Sequence, residues 1–292
     1  MVKRSLVLSG GGSKGSYQVG VLKAMAEHGL SWDTVHGISV GALNASWIAM
    51  HKKEDHPMCI QGLIDIWSAI QSSADIYKPW LPFGLNYISS MWKGSLNTGR
   101  PLRKLVEKNW KAEAIADSCV KLSVGCCSLS TTEYKAIHST HVHGPDLLSY
   151  VLASSHMPII FEPIAIDNQY WIDGGMRHQI PILEALQENP DIIDIILTSP
   201  VSSKCIESRK PMSSKSAPSV AIRGLQTFSD QIFMNDWQNI QNLITKRIPN
   251  NIVINVYAPA CTVITDSMNF AKDMIAHGIH LGYTDAMAIL GQ

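Results

Sequence analysis

Thr34-Val35-His36-Gly37-Ile38-Ser39-Val40-Gly41-Ala42-Leu43-Asn44-Ala45-Ser46-Trp47-Ile48 is the stretch on which the fold turns. Val35 and Ile38 lead in as a short buried strand, and Ala42, Ala45 and Ile48 follow at helical spacing. Between them lies Gly37-x-Ser39-x-Gly41. A strand that enters a helix through Gly-x-Ser-x-Gly holds its serine on a sharp, strained turn, and Gly37 and Gly41 let neighbouring backbone close in without a Cβ clash. A serine hydroxyl is a poor nucleophile until something takes its proton. Because five-residue matches also arise by chance, the surroundings have to decide.

Upstream, Leu6-Val7-Leu8 reads as a buried strand that runs into Gly10-Gly11-Gly12-Ser13-Lys14-Gly15. A helix follows over Tyr17 to His28, with Val19, Leu22 and Ala26 on one stripe and Gly29 at the C′ position. Glycines between a strand and a helix leave backbone N–H groups free at the positive end of that helix, where they bind a phosphate or an oxyanion. The pattern also fits Gly-x-Gly-x-x-Gly, but a dinucleotide fold needs an acid near the end of its second strand. Asp33 precedes that strand, and the serine turn occupies the acid's place. A P-loop requires Gly-Lys-Ser/Thr, whereas Lys14 stands before Gly15. Both nucleotide readings are therefore minor. Lys14 itself is either a counter-charge for a phosphate or oxyanion, or a solvated loop charge.

Further along, Arg100-Pro101 opens a helix, and Val120 to Ser128 reads as a strand that Lys135 to His138 can pair with. Asp146 to Ser154 is helical. The runs 164–166 and 170–172 flank Asp167-Asn168-Gln169 as a hairpin. Ile192 to Leu197 is a continuous apolar run, as expected of a strand covered on both faces. A helix from about Val220 to Lys246, a strand from Ile252 to Tyr257 and a helix from about Met268 to Leu290 complete the pattern. Strands alternating with helices predict an α/β fold, one domain over residues 1–292 with a central, largely parallel sheet flanked by helices. Residues 201–219 hold seven serines, two prolines and four basic side chains (Lys204, Arg209, Lys210 and Lys215) against one acid. They read as a flexible loop inside that domain.

Composition narrows the partners. The 292 residues carry 24 Lys+Arg against 24 Asp+Glu, so no cationic field is available for a nucleic acid. The six cysteines show neither CxxC pairs nor the density of a disulfide scaffold, which fits free thiols in a reducing compartment. No run of about 18 apolar residues spans a bilayer, and the apolar run at Leu6 is too short for a signal peptide. The expectation is a cytoplasmic chain whose membrane contact, if any, is peripheral. His138-x-x-His141-x-His143 lacks a carboxylate or cysteine at matching spacing, so neither a metal nor another cofactor is expected. The aromatic stretch of Trp67, Tyr77, Trp80, Phe83, Tyr87 and Trp92 reads first as core packing, and second as a pocket wall or interfacial belt.

Tyr170-Trp171-Ile172-Asp173-Gly174-Gly175 is the third motif. An acid at the end of an apolar strand, followed by Gly174 and Gly175, can present its carboxylate with little steric cover; taken alone, the motif reads first as an Asp-Gly turn. Taken together, the glycine loop, Gly37-x-Ser39-x-Gly41 and Asp173-Gly174-Gly175 resemble the patatin-like phospholipase family in order and spacing. Leu96 to Leu102, Ala153 to Pro163 and the closing helix resemble family stretches as well. The resemblance implies lipid acyl hydrolysis, of phospholipase A type, by a Ser39–Asp173 dyad. Ser39 would be the nucleophile and Asp173 the base, and Gly10, Gly11, Gly12, Ser13, Lys14 and Gly15 would form the oxyanion loop. The substrate would be a phospholipid or another acyl-ester lipid. Where many relatives carry Asn-Pro-like residues, this chain has Arg177-His178-Gln179-Ile180-Pro181, a departure that bears on head-group preference. Three rivals stand beside this reading. One is a short-chain carboxylesterase or thioesterase with the same dyad. Another is a Ser–His–Asp triad drawing on His277 or His280, and the third is a lipid-binding effector module with weak or partner-activated catalysis.

Overall fold

A computed structural model of the chain describes residues 2–81, 92–201, 216–246 and 252–291. The strands are β1 (Arg4–Leu8), β2 (Thr34–Ile38), β3 (Lys78–Pro79), β4 (Ser95–Thr98), β5 (Lys121–Ser128), β6 (Tyr134–His138), β7 (Ile159–Phe161), β8 (Ile164–Ile166), β9 (Gln169–Asp173), β10 (Ile192–Ile196) and β11 (Val253–Tyr257). The helices are α1 (Gly15–Glu27), α2 (Val40–Ala49), α3 (His56–Ala69), α4 (Arg100–Asn109), α5 (Ala112–Ser118), α6 (Gly144–Ser154), α7 (Ile182–Gln187), α8 (Ala217–Lys246) and α9 (Lys272–Leu290).

The α/β architecture expected from the sequence is present. β11, β10, β1, β2 and β5 pair in that order, all parallel, and β9, β8 and β6 extend the sheet antiparallel. Helices cover both faces of the sheet, so its inner strands are apolar throughout: Leu6, Val7, Leu8, Ile193, Ile195 and Ile196 are all fully buried. The hairpin expected at 164–172 turns through Asp167 and Asn168, both at positive φ (50° and 60°), the geometry a two-residue turn between twisted strands demands.

One feature of the pairing sets up the site. β6 lies along Ser123 to Cys127 on one flank of β5, so β2 and β9 must share the other flank. β2 runs parallel to β5 and ends with Ile38 opposite Gly125; β9 runs antiparallel and ends with Asp173 opposite Cys126. The C-terminal tips of β2 and β9 therefore meet head to head.

Several elements differ from the sequence reading. The closing helix begins at Lys272 rather than near Met268, because Asp266 and Asn269 side chains cap backbone N–H groups of Met268 and Ala271 in a turn ahead of it. α8 begins at Ala217, so residues 217–219 of the expected loop are helical; 202–215, with Lys204, Arg209, Lys210 and Lys215, lie outside the described residues. α3, α5, α7 and a small sheet of β3, β4 and β7 are additional. Trp67 is buried in α3, as core packing predicts, whereas Trp92 is 87% exposed; Phe83 and Tyr87 lie outside the described residues. α9 packs against α1 at very close range, because a Cβ at Gly20, Gly278 or Gly282 would collide with the facing helix.

Candidate active site

Ser39 sits between β2 and α2 with φ 57° and ψ −127°, a backbone conformation that costs a non-glycine residue of order 1–3 kcal/mol. Neighbouring groups hold it there. The Ser39 N–H donates to Ser154 Oγ at 2.9 Å, and Ser154 Oγ donates onward to Gly125 O at 2.6 Å. Gly37 and Gly41 are what the turn requires: a Cβ at Gly37 would overlap the backbone of Gly41, and one at Gly41 would overlap Leu8 O.

Asp173, at the tip of β9, is only 2% exposed. Its Oδ1 accepts the Gly175 N–H at 2.7 Å, and its own N–H donates to His156 O at 3.1 Å. Burial raises its pKa from the usual carboxylate range to about 7, against the opposing pull of hydrogen bonds from the Gly175 N–H and the Ser39 hydroxyl. The strand tips thus bring Ser39 and Asp173 together at one end of the sheet. Gly174 fits beneath β5, where a Cβ would overlap Gly125 O.

Within the glycine loop the six residues divide. The Gly10 N–H donates to Gln179 O at 3.0 Å, and the Ser13 N–H to Ser267 O at 2.8 Å. Gly15 N–H closes the first turn onto Gly12 O and Ser13 O, and Gly15 packs against Val40. The Lys14 N–H donates to Gly11 O, and its Nζ to Ser199 Oγ at 3.0 Å. Among the described residues only the Gly11 and Gly12 N–H groups of this loop have no partner. Both glycines adopt positive φ (154° and 59°), and Cβ atoms there would overlap Thr198 Oγ1 and Ser267 O. Thr198, just past the end of β10, secures the loop by donating from Oγ1 to Gly10 O.

Ser39, Asp173, Gly11 and Gly12 open onto one cavity of about 160 Å³. Its apolar wall comes from α2 and its C-cap (Leu43, Trp47, Met50), α3 (Leu63, Trp67) and α4 (Leu102, Leu105, Val106). Toward α8 the lining turns polar, with Gln226, Ser229 and Asp230 beside Lys14 and Ser199.

The other sequence candidates fall away from this point. His277 and His280 are exposed on α9 and do not line the cavity. Asp33 lies at the N-terminal end of β2, bound to Lys53 at 2.6 Å, with the sheet between it and the glycine loop. His138 and His141 touch edge-on, and among the described residues no group of three His, Cys, Asp or Glu side chains could hold a metal ion. His178 Nδ1 faces Asp236 Oδ1 at 3.3 Å, which raises its pKa. Ser154 and Gln179 carried no sequence signal for a place beside Ser39, since each reaches it only through long-range packing, whereas Trp67 lines the cavity as the second reading of the aromatic stretch expects.

The family model for patatin-like phospholipases matches residues 6–186, which contain Ser39, Asp173 and the whole glycine loop. The chain belongs to this family. Among curated relatives, a lysophospholipase NTE1 from Kluyveromyces lactis is 25% identical over 218 residues, 71% of this chain. The neuropathy target esterase sws of Drosophila melanogaster is 28% identical over 182 residues, 60% of this chain. The chain spans only 13% and 11% of the length of these two relatives. Among solved structures, VipD from Legionella pneumophila superposes with a TM-score of 0.48 at 15% identity, covering 99% of this chain and 67% of that one. The patatin-like family is one of lipid ester hydrolases. No described helix is long and apolar enough to cross a membrane.

Proposed function

We propose that the chain is a lipid acyl hydrolase of phospholipase A or lysophospholipase type that works through an acyl-Ser39 intermediate. The observation that carries this reading is the Ser39 hydroxyl facing a buried Asp173 carboxylate beside two unpartnered amides in an apolar cavity. Asp173 takes the Ser39 proton as Oγ attacks the ester carbonyl. Its pKa of about 7 suits it to accept that proton and then return it to the leaving alcohol near neutral pH. Gly11 and Gly12 N–H groups receive the oxyanion, where a single donor is typically worth about 3–4 kcal/mol. The acyl chain lies along α2, α3 and α4, and the alcohol leaves toward Lys14 and α8.

An apolar wall that continues from Leu43 to Val106 favours a long acyl chain over the short acyl groups of a carboxylesterase or thioesterase. Peripheral contact with a lipid surface is supported by the small sheet beside the cavity. β7 places Phe161 in the wall and Ile159 outside, and Trp80, hydrogen-bonded to Ser95 on the neighbouring strand, lies beneath Lys93 and Arg100. Aromatic rings with basic neighbours suit an interface of anionic head groups.

Release of fatty acid from phosphatidylcholine and lysophosphatidylcholine liposomes tests the proposal. Wild type is expected to release acid, and folded Ser39→Ala and Asp173→Asn proteins to release none. Hydrolysis by purified Ser39→Ala would refute the mechanism.

A further inference from the structure

Gln179 follows shortly after the Asp173-Gly174-Gly175 motif, and it is pinned from every side. Its N–H donates to Asp236 Oδ2 at 2.6 Å, and its C=O accepts the Gly10 N–H at 3.0 Å. Both hydrogens of its side-chain amide are used as well, on Gly175 O at 3.0 Å and Ser229 Oγ at 2.8 Å. Because a backbone carbonyl only accepts, the amide nitrogen must face Gly175, and Oε1 is turned the other way, toward Gly10.

Two glycines show how near this amide lies to the dyad. A Cβ on Gly10 would overlap Gln179 Oε1 and stand 3.3 Å from Ser39 Cβ. A Cβ on Gly175 would stand 2.7 Å from Gln179 Nε2 and 2.9 Å from Asp173 Oδ1. The carboxamide oxygen therefore stands no farther than about 5.5 Å from Ser39 Cβ, and the amide nitrogen no farther than about 5.6 Å from Asp173 Oδ1. It lines the cavity, and its Oε1 has no donor among the described residues.

We propose that Gln179 is a catalytic residue of the deacylation half-reaction, its Oε1 accepting a hydrogen bond from the water that releases the acyl chain. This rests on the dyad reading above. In acylation the only proton that moves belongs to Ser39; it passes to Asp173 and then to the leaving alcohol, so the reacting groups leave Gln179 no proton to hold. In deacylation the water brings two protons. Its oxygen bonds to the acyl carbon, one proton moves to Asp173, and the other stays on that oxygen and needs an acceptor. Gln179 Oε1 supplies it. The bond from the acyl carbon to Ser39 Oγ then breaks, Asp173 returns its proton to Oγ, and the carboxylic acid departs.

Rapid mixing of the full chain with p-nitrophenyl butyrate separates the two halves, since the burst of nitrophenolate reports acylation and the later steady rate reports deacylation. Gln179→Met, of similar length but without an amide, is expected to keep the burst rate within about threefold. Its steady rate should fall roughly tenfold, the loss of one hydrogen bond to an uncharged group, with acyl-Ser39 accumulating by intact mass. If the Met protein does not fold, Gln179→Asn withdraws the same amide by one methylene and should give the same split. Burst and steady rates falling together, or both unchanged, would overturn the proposal in favour of a merely structural role. A purified, folded Ser39→Ala protein that still turns the ester over would instead bring down the dyad reading, and this proposal with it.

Discussion

Replacing Asp173 with Asn removes a charge that the fold resists burying, and the effect on stability can be worked out. Asp173 is 2% exposed with a pKa of about 7, against about 3.9 for a free aspartate. A folded-state pKa above the unfolded value means that the native state holds its proton where the unfolded state has released it. Stability from this group is therefore greatest below about pH 4, falls as pH rises from about 4 to 7, and is constant above that. Three pKa units at about 1.36 kcal/mol each give roughly 4 kcal/mol. An Asn side chain has the same shape, and its Oδ1 can still accept the Gly175 N–H. Asp173→Asn is thus expected to be more stable than wild type by about 4 kcal/mol at pH 8 and by only about 1–2 kcal/mol at pH 5. Urea unfolding at the two pH values measures this, and a melting shift of about 8 °C at pH 8 corresponds to it. A variant no more stable at pH 8, or one whose advantage does not change with pH, would refute the buried-carboxylate argument. The same pKa sets the pH–rate profile, because Asp173 must be ionised to accept a proton: activity is expected to climb through about pH 7 to a plateau.

Three further outcomes follow from the packing around Ser39. Ser39→Gly relieves the strained φ of 57°, so it should be more stable than Ser39→Ala by about 1–3 kcal/mol in denaturant titrations, although both are inactive. Ser154→Ala strips partners from the Ser39 N–H and Gly125 O together; it should cost about 2–4 kcal/mol of stability and lower kcat more than KM. Leu105→Trp fills the α4 side of the cavity. Each methylene it excludes should cost about 0.8 kcal/mol, about fourfold in kcat/KM for long-chain esters, with p-nitrophenyl acetate unaffected.

What the sequence displayed was local chemistry. The turn at Ser39, the glycine loop and the apolar runs of β1 and β10 are each written in a few adjacent residues, so strand, helix and parallel sheet could be read from them. Asp173 was different. Its Asp-Gly-Gly alone reads first as a turn, and only its company with the other two motifs singled it out. What brings it to Ser39 is the head-to-head arrangement of β2 and β9 on one flank of β5, a pairing across some 135 residues of chain that no local pattern encodes. Distance along the chain hid other parts too. Ser154 reaches Ser39 across 115 residues, and Gln179 reaches Ser229 across 50. The division of the glycine loop into engaged and open amides depends on Gln179 and Ser267, which nothing in residues 10–15 announces. α3 was missed because its apolar residues are broken by Gln61-Gly62 and Asp65, yet it forms part of the cavity wall.

The most direct test of a Ser39 nucleophile is covalent. Wild-type chain incubated with a fluorophosphonate probe and digested for mass spectrometry is expected to carry the label on Ser39, with labelling reduced in Asp173→Asn and absent in Ser39→Ala. Label on another residue, or equal labelling of a folded Ser39→Ala protein, would contradict the account.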